Sequence, residues 1–340
     1  MHGTQDLARR FAALAAMGFE HAEDASVTRD IVRVDRRVTR VVHSRPAMGT
    51  LVSVSVLVRS PGRADRGIGL AFEDMDRLIG IFSHYDDSSA ASQLNHLGRL
   101  DGPPPELVQV AANAKRFYKL TQVGFDISVA PVVDLFRDRR DGALPDDSDV
   151  RAALELVGAG DIDVSRRRIR FGRQGMRVTL DGIAKGFIVD EIARVLEKSG
   201  IRNYLVEAGG DIRVRGSRGN GQPWRVAVQD PEKGSDFPDM IEVSKGAVAT
   251  SGSYEKYYDQ DREHHHIFST DSGRSPQHSS SVTLVAPTAM AADALATSVF
   301  LMAPRQGVEL IDRLRGCECL VMGHDGDQIK TRGWRSAAPV

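Results

Sequence analysis

The chain has 340 residues, 41% of them hydrophobic, and its 45 Lys and Arg residues against 46 Asp and Glu residues give a formal net charge of −1. A chain of this length and composition can bury a sizeable core, as one large domain or two closely packed ones. The balanced charge excludes a whole-protein field that would draw the chain to nucleic acid or anionic lipid, so neither is an expected partner.

The two cysteines and the N-terminal residues indicate whether to expect a disulfide, a zinc site, a signal peptide or a membrane span. Cys317 and Cys319, the only cysteines, are too close in sequence for an ordinary disulfide and too few for a zinc site, which predicts buried or half-buried thiols. The apolar run over residues 11–17 follows two arginines, but it is short and lacks a convincing cleavage site, which favours an amphipathic helix over a signal peptide. No run approaches the roughly 20 apolar residues of a membrane span. We therefore expect a cytoplasmic protein without a membrane span.

The charged residues 1–45 are expected to form an N-terminal extension, and residues 46–335 are expected to form one domain. Alternation of apolar and polar residues predicts a strand over residues 51–58. Helical spacing predicts helices over residues 64–82, from the prolines at 103–105 to about residue 120, and over residues 147–157. Residues 176–180 are predicted to form a strand that leads through Gly182 into a helix ended by Gly200.

The second half of the chain is predicted to hold mostly short strands. They are expected over residues 204–206, 212–214, 224–228, 241–243, 247–249 and 281–285, before a helix over residues 290–302 and a last helix and strand after Pro304. Strands and helices thus come in blocks and not in strict alternation. This pattern favours an α+β fold with largely antiparallel sheets and helices packed on them.

Asp293 and Thr297 are candidate metal ligands. They stand four residues apart in the predicted helix, so their side chains project from one face, one turn apart. Carboxylate and hydroxyl oxygens suit a hard cation such as Mg²⁺, which takes few protein ligands and completes its shell with water and phosphate oxygens. Taken alone, an Asp near a helix N-terminus followed by a Thr is more often a cap or a dipole partner.

Gly182 and Lys185 are candidates for binding an anion. They lie in the segment 179–186 (TLDGIAKG), where a glycine, a helix N-terminus and a lysine in the first turn favour a group such as pyrophosphate. The segment lacks the spacing of a P-loop. The alternative is a glycine that lets helix and sheet approach closely, with a solvated lysine.

Further candidates are aromatic groups, a thioether and histidines. Met48 and Tyr85 can sandwich a flat ring, because a thioether and a tyrosine face both stack on π-systems; core packing is the alternative for each. Neighbouring side chains of the histidines at 264–266 point to opposite faces of a strand, so all three cannot bind one ion. One of them suits acid–base chemistry near a hydroxyl, and His264 is expected in a charged surface loop. Residues 207–211 (EAGGD) are predicted to turn tightly close to a ligand.

Eight short segments carry a resemblance when they are taken together in order: 47–50 (AMGT), 82–95 (FSHY to SQLN), 124–131 (GFDI to P), 180–186 (LDGIAKG), 206–211 (VEAGGD), 249–252 (ATSG), 266–276 (HI to P) and 292–297 (ADALAT). In this order they resemble the ApbE family of FAD:protein FMN transferases. The resemblance covers residue 46 to past residue 300. It implies an ApbE or T-fold-like α+β fold.

The resemblance also implies a role for each candidate. Mg²⁺ would be bound by the side chains of Asp293 and Thr297 and by the carbonyl of Gly182. His266, as the base, and Lys185 would be catalytic. The FAD-binding residues would be Met48, Tyr85, Gly124, Phe125, Asp126, Thr179, Lys185 and Phe268.

The implied reaction is attack of an acceptor threonine hydroxyl on the FMN phosphorus of FAD, with AMP leaving, and the implied acceptors carry a Ser/Thr-Gly-Ala-Thr-like motif. Two alternatives stay open. In a Mg²⁺-dependent FAD pyrophosphatase, water replaces the threonine. A non-catalytic FAD-binding protein is suggested by Thr179 and Ser269, which stand where the family usually has aspartate.

Overall fold

The computed structural model describes residues 28–122, 124–138, 144–231 and 237–337. Its helices are α1 (Pro61–Phe82), α2 (Ala90–Leu97), α3 (Pro105–Thr121), α4 (Ala130–Arg137), α5 (Asp147–Leu154), α6 (Ala184–Lys198), α7 (Ala289–Phe300) and α8 (Pro304–Asp312). Its strands are β1 (Thr28–Arg33), β2 (Thr39–Ala47), β3 (Thr50–Val58), β4 (Arg99–Asp101), β5 (Ile162–Val164), β6 (Arg168–Phe171), β7 (Tyr204–Ala208), β8 (Asp211–Arg215), β9 (Trp224–Val228), β10 (Asp239–Val243), β11 (Lys245–Gly252), β12 (Ser281–Ala286), β13 (Glu318–Met322) and β14 (Gln328–Lys330). None of the helices in these ranges is long and apolar enough to cross a membrane.

One nine-stranded antiparallel sheet dominates the fold, in the order β1-β2-β3-β7-β8-β11-β12-β13-β14. Two of its hairpins turn through only two residues, Met48 and Gly49 between β2 and β3, and Gly209 and Gly210 between β7 and β8. All four residues have positive φ, from 54° at Met48 to 93° at Gly210, as a type I′ turn requires. The tight turn predicted at residues 207–211 is confirmed.

The two faces of the sheet are covered differently. Helices α1, α6 and α7 pack on one face and bury the main core with it. The other face packs against the two-stranded β9–β10 sheet and the indole of Trp334. Cys317 and Cys319 are buried free thiols, as predicted. Antiparallel sheet with helices packed on it confirms the α+β prediction.

Part of the predicted extension belongs to the sheet. Residues 28–47 form β1 and β2, and β1 is the outermost strand. All residues of β1 are exposed, whereas Val41 in β2 is fully buried. The domain start at residue 46 stays a prediction, and the helix predicted over residues 11–17 lies outside the described residues.

Residues 176–180 do not form a strand, contrary to the prediction. The other helices and strands predicted within the described ranges are present, with ends shifted by a few residues. The side-chain amide of Asn95 on α2 takes the place of a neighbouring strand. It donates to the Val178 carbonyl at 2.8 Å and accepts from the Val178 N–H at 2.7 Å. The Thr179 N–H donates to the Ile127 carbonyl at 2.8 Å. The backbone is satisfied by a side chain and a loop, so no ladder forms.

Candidate active site

The segment that precedes α6 lies against α7, and this contact brings Gly182 to Thr297, one helical turn from Asp293. Asp293 and Thr297 stand on successive turns of α7, and Asp293 is only 6% exposed. A Cβ added to Gly182 would lie 3.1 Å from Thr297 Oγ1, so a glycine lets the backbone approach the hydroxyl this closely. Thr297 Oγ1 also lies 3.2 Å from Ser251 Oγ on β11.

The Asp293 carboxylate is buried between α6 and α7. Its Oδ2 accepts a hydrogen bond of 3.1 Å from the Gly186 N–H. Burial, and then the charge of Asp211, raise the pKa of Asp293 well above its usual value. Such a raised pKa means that the positive charge nearby does not fully compensate the burial of this anion, and a bound cation would add to that compensation.

Lys185, in the first turn of α6, is the cation at this point of the structure. Its Nζ lies 3.7 Å from Asp211 Oδ2 and 3.3 Å from the Gly209 carbonyl oxygen. Burial lowers the pKa of Lys185, whereas the charges of Asp211 and Asp293 raise it. The charges have the larger effect together, so the pKa of Lys185 lies above its usual value. Burial also raises the pKa of Asp211 to about 6, against the opposing effect of Lys185. Lys185 is therefore a charged ammonium beside the buried Asp211 carboxyl group, and the charge of Asp293 also acts on it.

The backbone N–H groups at the start of α6, which the sequence predicted to favour an anion, make hydrogen bonds within the protein. The N–H groups of Ile183 and Ala184 donate to the Leu180 carbonyl at 3.0 and 2.8 Å, and that of Gly186 donates to Asp293. These three groups are not free to bind an anion. The positive charge at this end of the helix comes from the Lys185 side chain and the helix dipole.

His266 faces Glu255, which lies in the turn after β11. His266 Nε2 is 3.9 Å from Glu255 Oε2, and its buried Nδ1 has no hydrogen-bond partner within the described ranges. Burial lowers the pKa of His266, and the Glu255 charge partly opposes that shift. A histidine with a lowered pKa is neutral at pH 7, as a general base must be.

The other two histidines of the run have structural roles. His265 is fully buried, its Nε2 lies 3.1 Å from the Pro276 carbonyl oxygen, and burial lowers its pKa to about 4. His264 is also buried, 3.2 Å from Asp259 and stacked on Phe136. The expected surface position of His264 is therefore wrong, because its ring packs on an aromatic side chain that lies far away in the sequence.

Three of the predicted FAD-binding residues are at least partly accessible to solvent, since Met48 and Thr179 are half-buried and Tyr85 is exposed. Met48 occupies a left-handed backbone conformation, which is strained for a residue other than glycine. Tyr85 is 83% exposed, and its ring centroid lies 3.9 Å from that of His84, with the two rings tilted by 40°. Thr179 and His84 line a pocket of about 300 Å³. His84 also contacts Asp181 at 3.4 Å, which connects the pocket to the Gly182 segment.

The Gly124-Phe125-Asp126 segment is tightly constrained. A Cβ on Gly124 would lie 2.6 Å from Met302 Cε, and the Phe125 ring lies 3.3 Å from the Cβ position of Gly182. The Asp126 carboxylate accepts hydrogen bonds from the Ser128 N–H and hydroxyl at 2.7 and 2.6 Å. Its second oxygen accepts from the backbone of residue 159 at 3.0 Å. Asp126 therefore shapes this loop through hydrogen bonds within the protein.

Phe268 lies inside an aromatic cluster. It is 2% exposed, and its ring centroid lies 4.5 Å from that of Phe136 and 5.8 Å from that of Tyr258. The structure thus brings Gly182 into contact with Thr297 and the first turn of α6, which carries Lys185, into contact with Asp293. Phe268 instead packs on its own aromatic neighbours.

Sequence reasoning missed two charged groups. The sequence pattern places Asp211 only at the end of a turn. An acidic residue that begins a buried strand needs a cationic partner, so its position in the sequence does indicate a charged partner. Glu255 carried no signal, because its proximity to His266 depends on how two loops fold together.

Comparison with known proteins gives a consistent result. The model of the ApbE family matches residues 48–321. The FAD:protein FMN transferase of Salmonella typhimurium is 29% identical over 96% of this chain and 93% of its own, and that of Vibrio cholerae is 30% identical over 79% and 83%. The flavin transferase ApbE structure from Vibrio cholerae has a TM-score of 0.75 at 27% identity, covering 90% of this chain and 98% of its own. The apbe protein of Thermotoga maritima has a TM-score of 0.76 at 28% identity, covering 91% and 97%.

Proposed function

The chain belongs to the ApbE family, and from that premise we propose that it is a Mg²⁺-dependent FAD:protein FMN transferase. It cleaves FAD, joins FMN through a phosphoester to a threonine of an acceptor protein and releases AMP. The observation that carries this proposal is the contact of Gly182 with Thr297, one helical turn from Asp293 and beside Lys185. Reaction at a pyrophosphate needs oxygen ligands for a metal and a fixed positive charge at one place.

Asp293, Thr297 and the Gly182 carbonyl are the groups that would hold Mg²⁺. All three are oxygen donors, and the Asp293 carboxylate is buried, so this donor set suits a hard divalent cation. The added Cβ at Gly182 would fill the space beside the Thr297 hydroxyl. When bound, Mg²⁺ would neutralise the pyrophosphate and polarise the phosphorus under attack.

Lys185 would contact the pyrophosphate oxygens. Asp211 and the Gly209 carbonyl hold its ammonium in place before substrate binds, so little reorganisation is needed as charge moves onto the AMP phosphate. Because the pKa of Lys185 lies above its usual value, it carries this charge at every physiological pH.

His266 would take the proton of the acceptor hydroxyl. The oxygen of the threonine forms a bond to the FMN phosphorus while the bond from that phosphorus to the bridging oxygen breaks, and AMP leaves with the electron pair. Glu255, 3.9 Å from Nε2, would stabilise the imidazolium that results. The proton then passes to solvent.

The flavin ring would stack on the exposed face of Tyr85, with Met48, Thr179 and Phe125 around it. Gly124, Asp126 and Phe268 remain in the proposed FAD site. Their contacts support a role in shaping the loops around FAD, since the Asp126 carboxylate and the Phe268 ring are engaged by protein groups.

The acceptor is proposed to be a protein with a Ser/Thr-Gly-Ala-Thr-like motif, and the location is proposed to be cytoplasmic. Fractionation of cells that express the full chain tests the location. Recovery of the protein outside the cytoplasmic fraction would overturn it.

The function is tested by incubating the protein with FAD, Mg²⁺ and an acceptor peptide that carries the motif, and then measuring AMP and peptide mass. We expect AMP together with a peptide heavier by one FMN group. Free FMN with an unchanged peptide would identify a pyrophosphatase, and intact FAD would identify a binding protein. The Asp293→Asn variant is the control and should release no AMP.

A further inference from the structure

Helices α6 and α7 exchange carboxylate contacts at their N-terminal turns. Asp190 of α6 accepts hydrogen bonds from the Ala289 N–H at 2.9 Å and from the Met290 N–H at 3.0 Å, the first residues of α7. In return, Asp293 of α7 accepts a hydrogen bond from the Gly186 N–H in the first turn of α6 at 3.1 Å. In both helices the carboxylate stands one turn after the N–H groups that the other helix uses.

This exchange fixes how the two helices lie on each other. The first N–H groups of a helix have no partner within it, and here each helix supplies the missing acceptor for its neighbour. A Cβ on Gly186 would lie 2.5 Å from the Ala289 carbonyl oxygen, so the helices touch at backbone level between the two carboxylates. A shift of α7 along or around its axis would break the hydrogen bonds of Asp190 first.

The sheet holds Asp190 in turn. Arg213 Nε on β8 lies 3.6 Å from Asp190 Oδ1. The same guanidinium donates a hydrogen bond to the carbonyl of Pro287, which lies just before the first residue of α7. Asp190 is therefore held by a guanidinium on one side and by two backbone N–H groups on the other. Arg213 follows Asp211 by two residues, so the same strand holds both Lys185 and the start of α7.

We infer that Asp190 is a positioning residue, which holds α7 in the register that brings Asp293 and Thr297 together with the Gly182 backbone. The inference rests on the proposed function, because it assumes that these three residues bind a divalent cation. Residues that orient metal ligands through hydrogen bonds typically contribute about 10- to 100-fold to metal affinity.

The test is the affinity of the intact protein for Mn²⁺, used as a spectroscopic substitute for Mg²⁺ and measured by titration with electron paramagnetic resonance. Asp190→Asn keeps the shape of the side chain but leaves one acceptor oxygen for two N–H groups. We expect its Kd for Mn²⁺ to rise by about 10-fold or more. The matched control is Asp146→Asn, because Asp146 also accepts from two backbone N–H groups, each at 2.9 Å, at the start of a different helix, α5.

Asp190→Asn should lose thermal stability and Mn²⁺ affinity. Asp146→Asn should keep its Mn²⁺ affinity, since its two N–H donors share one oxygen that the amide retains. Equal Mn²⁺ affinity in Asp190→Asn and wild type, or an equal loss in both variants, would overturn the inference. If Asp190→Asn does not fold, Asp190→Glu keeps the charge but moves the carboxylate by one methylene, and wild-type affinity in that variant would equally overturn it. Failure of the wild type to bind Mn²⁺ would instead contradict the proposed function.

Discussion

Lys185 Nζ lies 3.7 Å from Asp211 Oδ2, and the two residues come from the start of a helix and the start of a strand. The Asp211 side chain is 3% exposed and that of Lys185 is 26% exposed. The pair lies where the β7–β8 turn meets the helical layer, so its charges act on Asp293 as well. The electrostatics of the site depend on this pair, and the first two predictions concern it.

Replacing Lys185 by Met removes the ammonium and keeps most of the side-chain volume. We expect AMP release from FAD to fall by about 100-fold or more, because a positioned group that stabilises the developing charge is lost. The free energy of unfolding should fall by roughly 1–3 kcal/mol, since Asp211 is left buried without its partner. Urea unfolding and an AMP assay measure the two effects.

The double variant with Lys185→Met and Asp211→Asn separates these effects. It should regain part of the lost stability, because residue 211 is no longer a buried carboxylate without its partner, and it should stay inactive. Near wild-type AMP release by either variant would contradict the role of Lys185.

The second prediction concerns the pH dependence of stability. The pKa of Asp211 is raised to about 6 from an ordinary value of 3.8, so the folded state holds this proton more tightly than the unfolded state does. The stabilisation that comes from protonated Asp211 is therefore fully present below pH 3.8, the ordinary pKa, and is lost as the pH rises through about 6. Between these values, the free energy of unfolding of the wild type should fall relative to that of Asp211→Asn. Urea unfolding at a series of pH values measures this difference, and a difference that grows in favour of the wild type as pH rises would contradict it.

Glu255→Gln should change the pH profile of the reaction. Burial lowers the pKa of His266 and Glu255 is the largest influence that raises it, while Asp181 and Lys185 act on it in opposite directions. Removing the Glu255 charge lowers the pKa of His266 further. The acid limb of kcat/KM should then move to lower pH, and the plateau should drop because the imidazolium is less stabilised.

The control for this prediction is Asp261→Asn, which removes an exposed carboxylate from the same loop region. Its acid limb should match that of the wild type. An acid limb that moves to higher pH in Glu255→Gln, or full activity in His266→Asn, would contradict the assignment of His266 as the base.

A methyl group at residue 186 should separate α6 from α7. In Gly186→Ala the new Cβ would lie 2.5 Å from the Ala289 carbonyl oxygen and 2.9 Å from Asp293 Cβ. We expect a loss of about 1–3 kcal/mol in the free energy of unfolding, together with loss of AMP release.

Gly69→Ala in α1 is the matched control, because a Cβ there meets no atom within 4 Å. It should stabilise the protein by about 0.5–1 kcal/mol, as Ala replaces Gly inside a helix. If thermal and urea unfolding show Gly186→Ala to be as stable as Gly69→Ala, the close approach of the two helices is contradicted.

The sequence alone was sufficient for features that depend on local periodicity. The spacing of Asp293 and Thr297 places both on one helical face, because the helix has a fixed repeat. The turn at residues 207–211 followed from its glycines, and the blocks of strands and helices predicted the α+β fold. The strand predicted over residues 176–180 does not form although Met176, Val178 and Leu180 are buried, because the burial of alternate side chains does not decide where the backbone hydrogen bonds go.

Only the tertiary structure decided which distant groups meet. Lys185 and Asp211, His266 and Glu255, and the two helices joined through Asp190 come from separate elements, and nothing in their local sequence specifies the partner. These contacts also set the pKa values, since burial and neighbouring charges exist only in the folded chain. The sequence thus determined which chemical groups the protein carries and on which faces, whereas the packing of sheet against helices decided which of them act together.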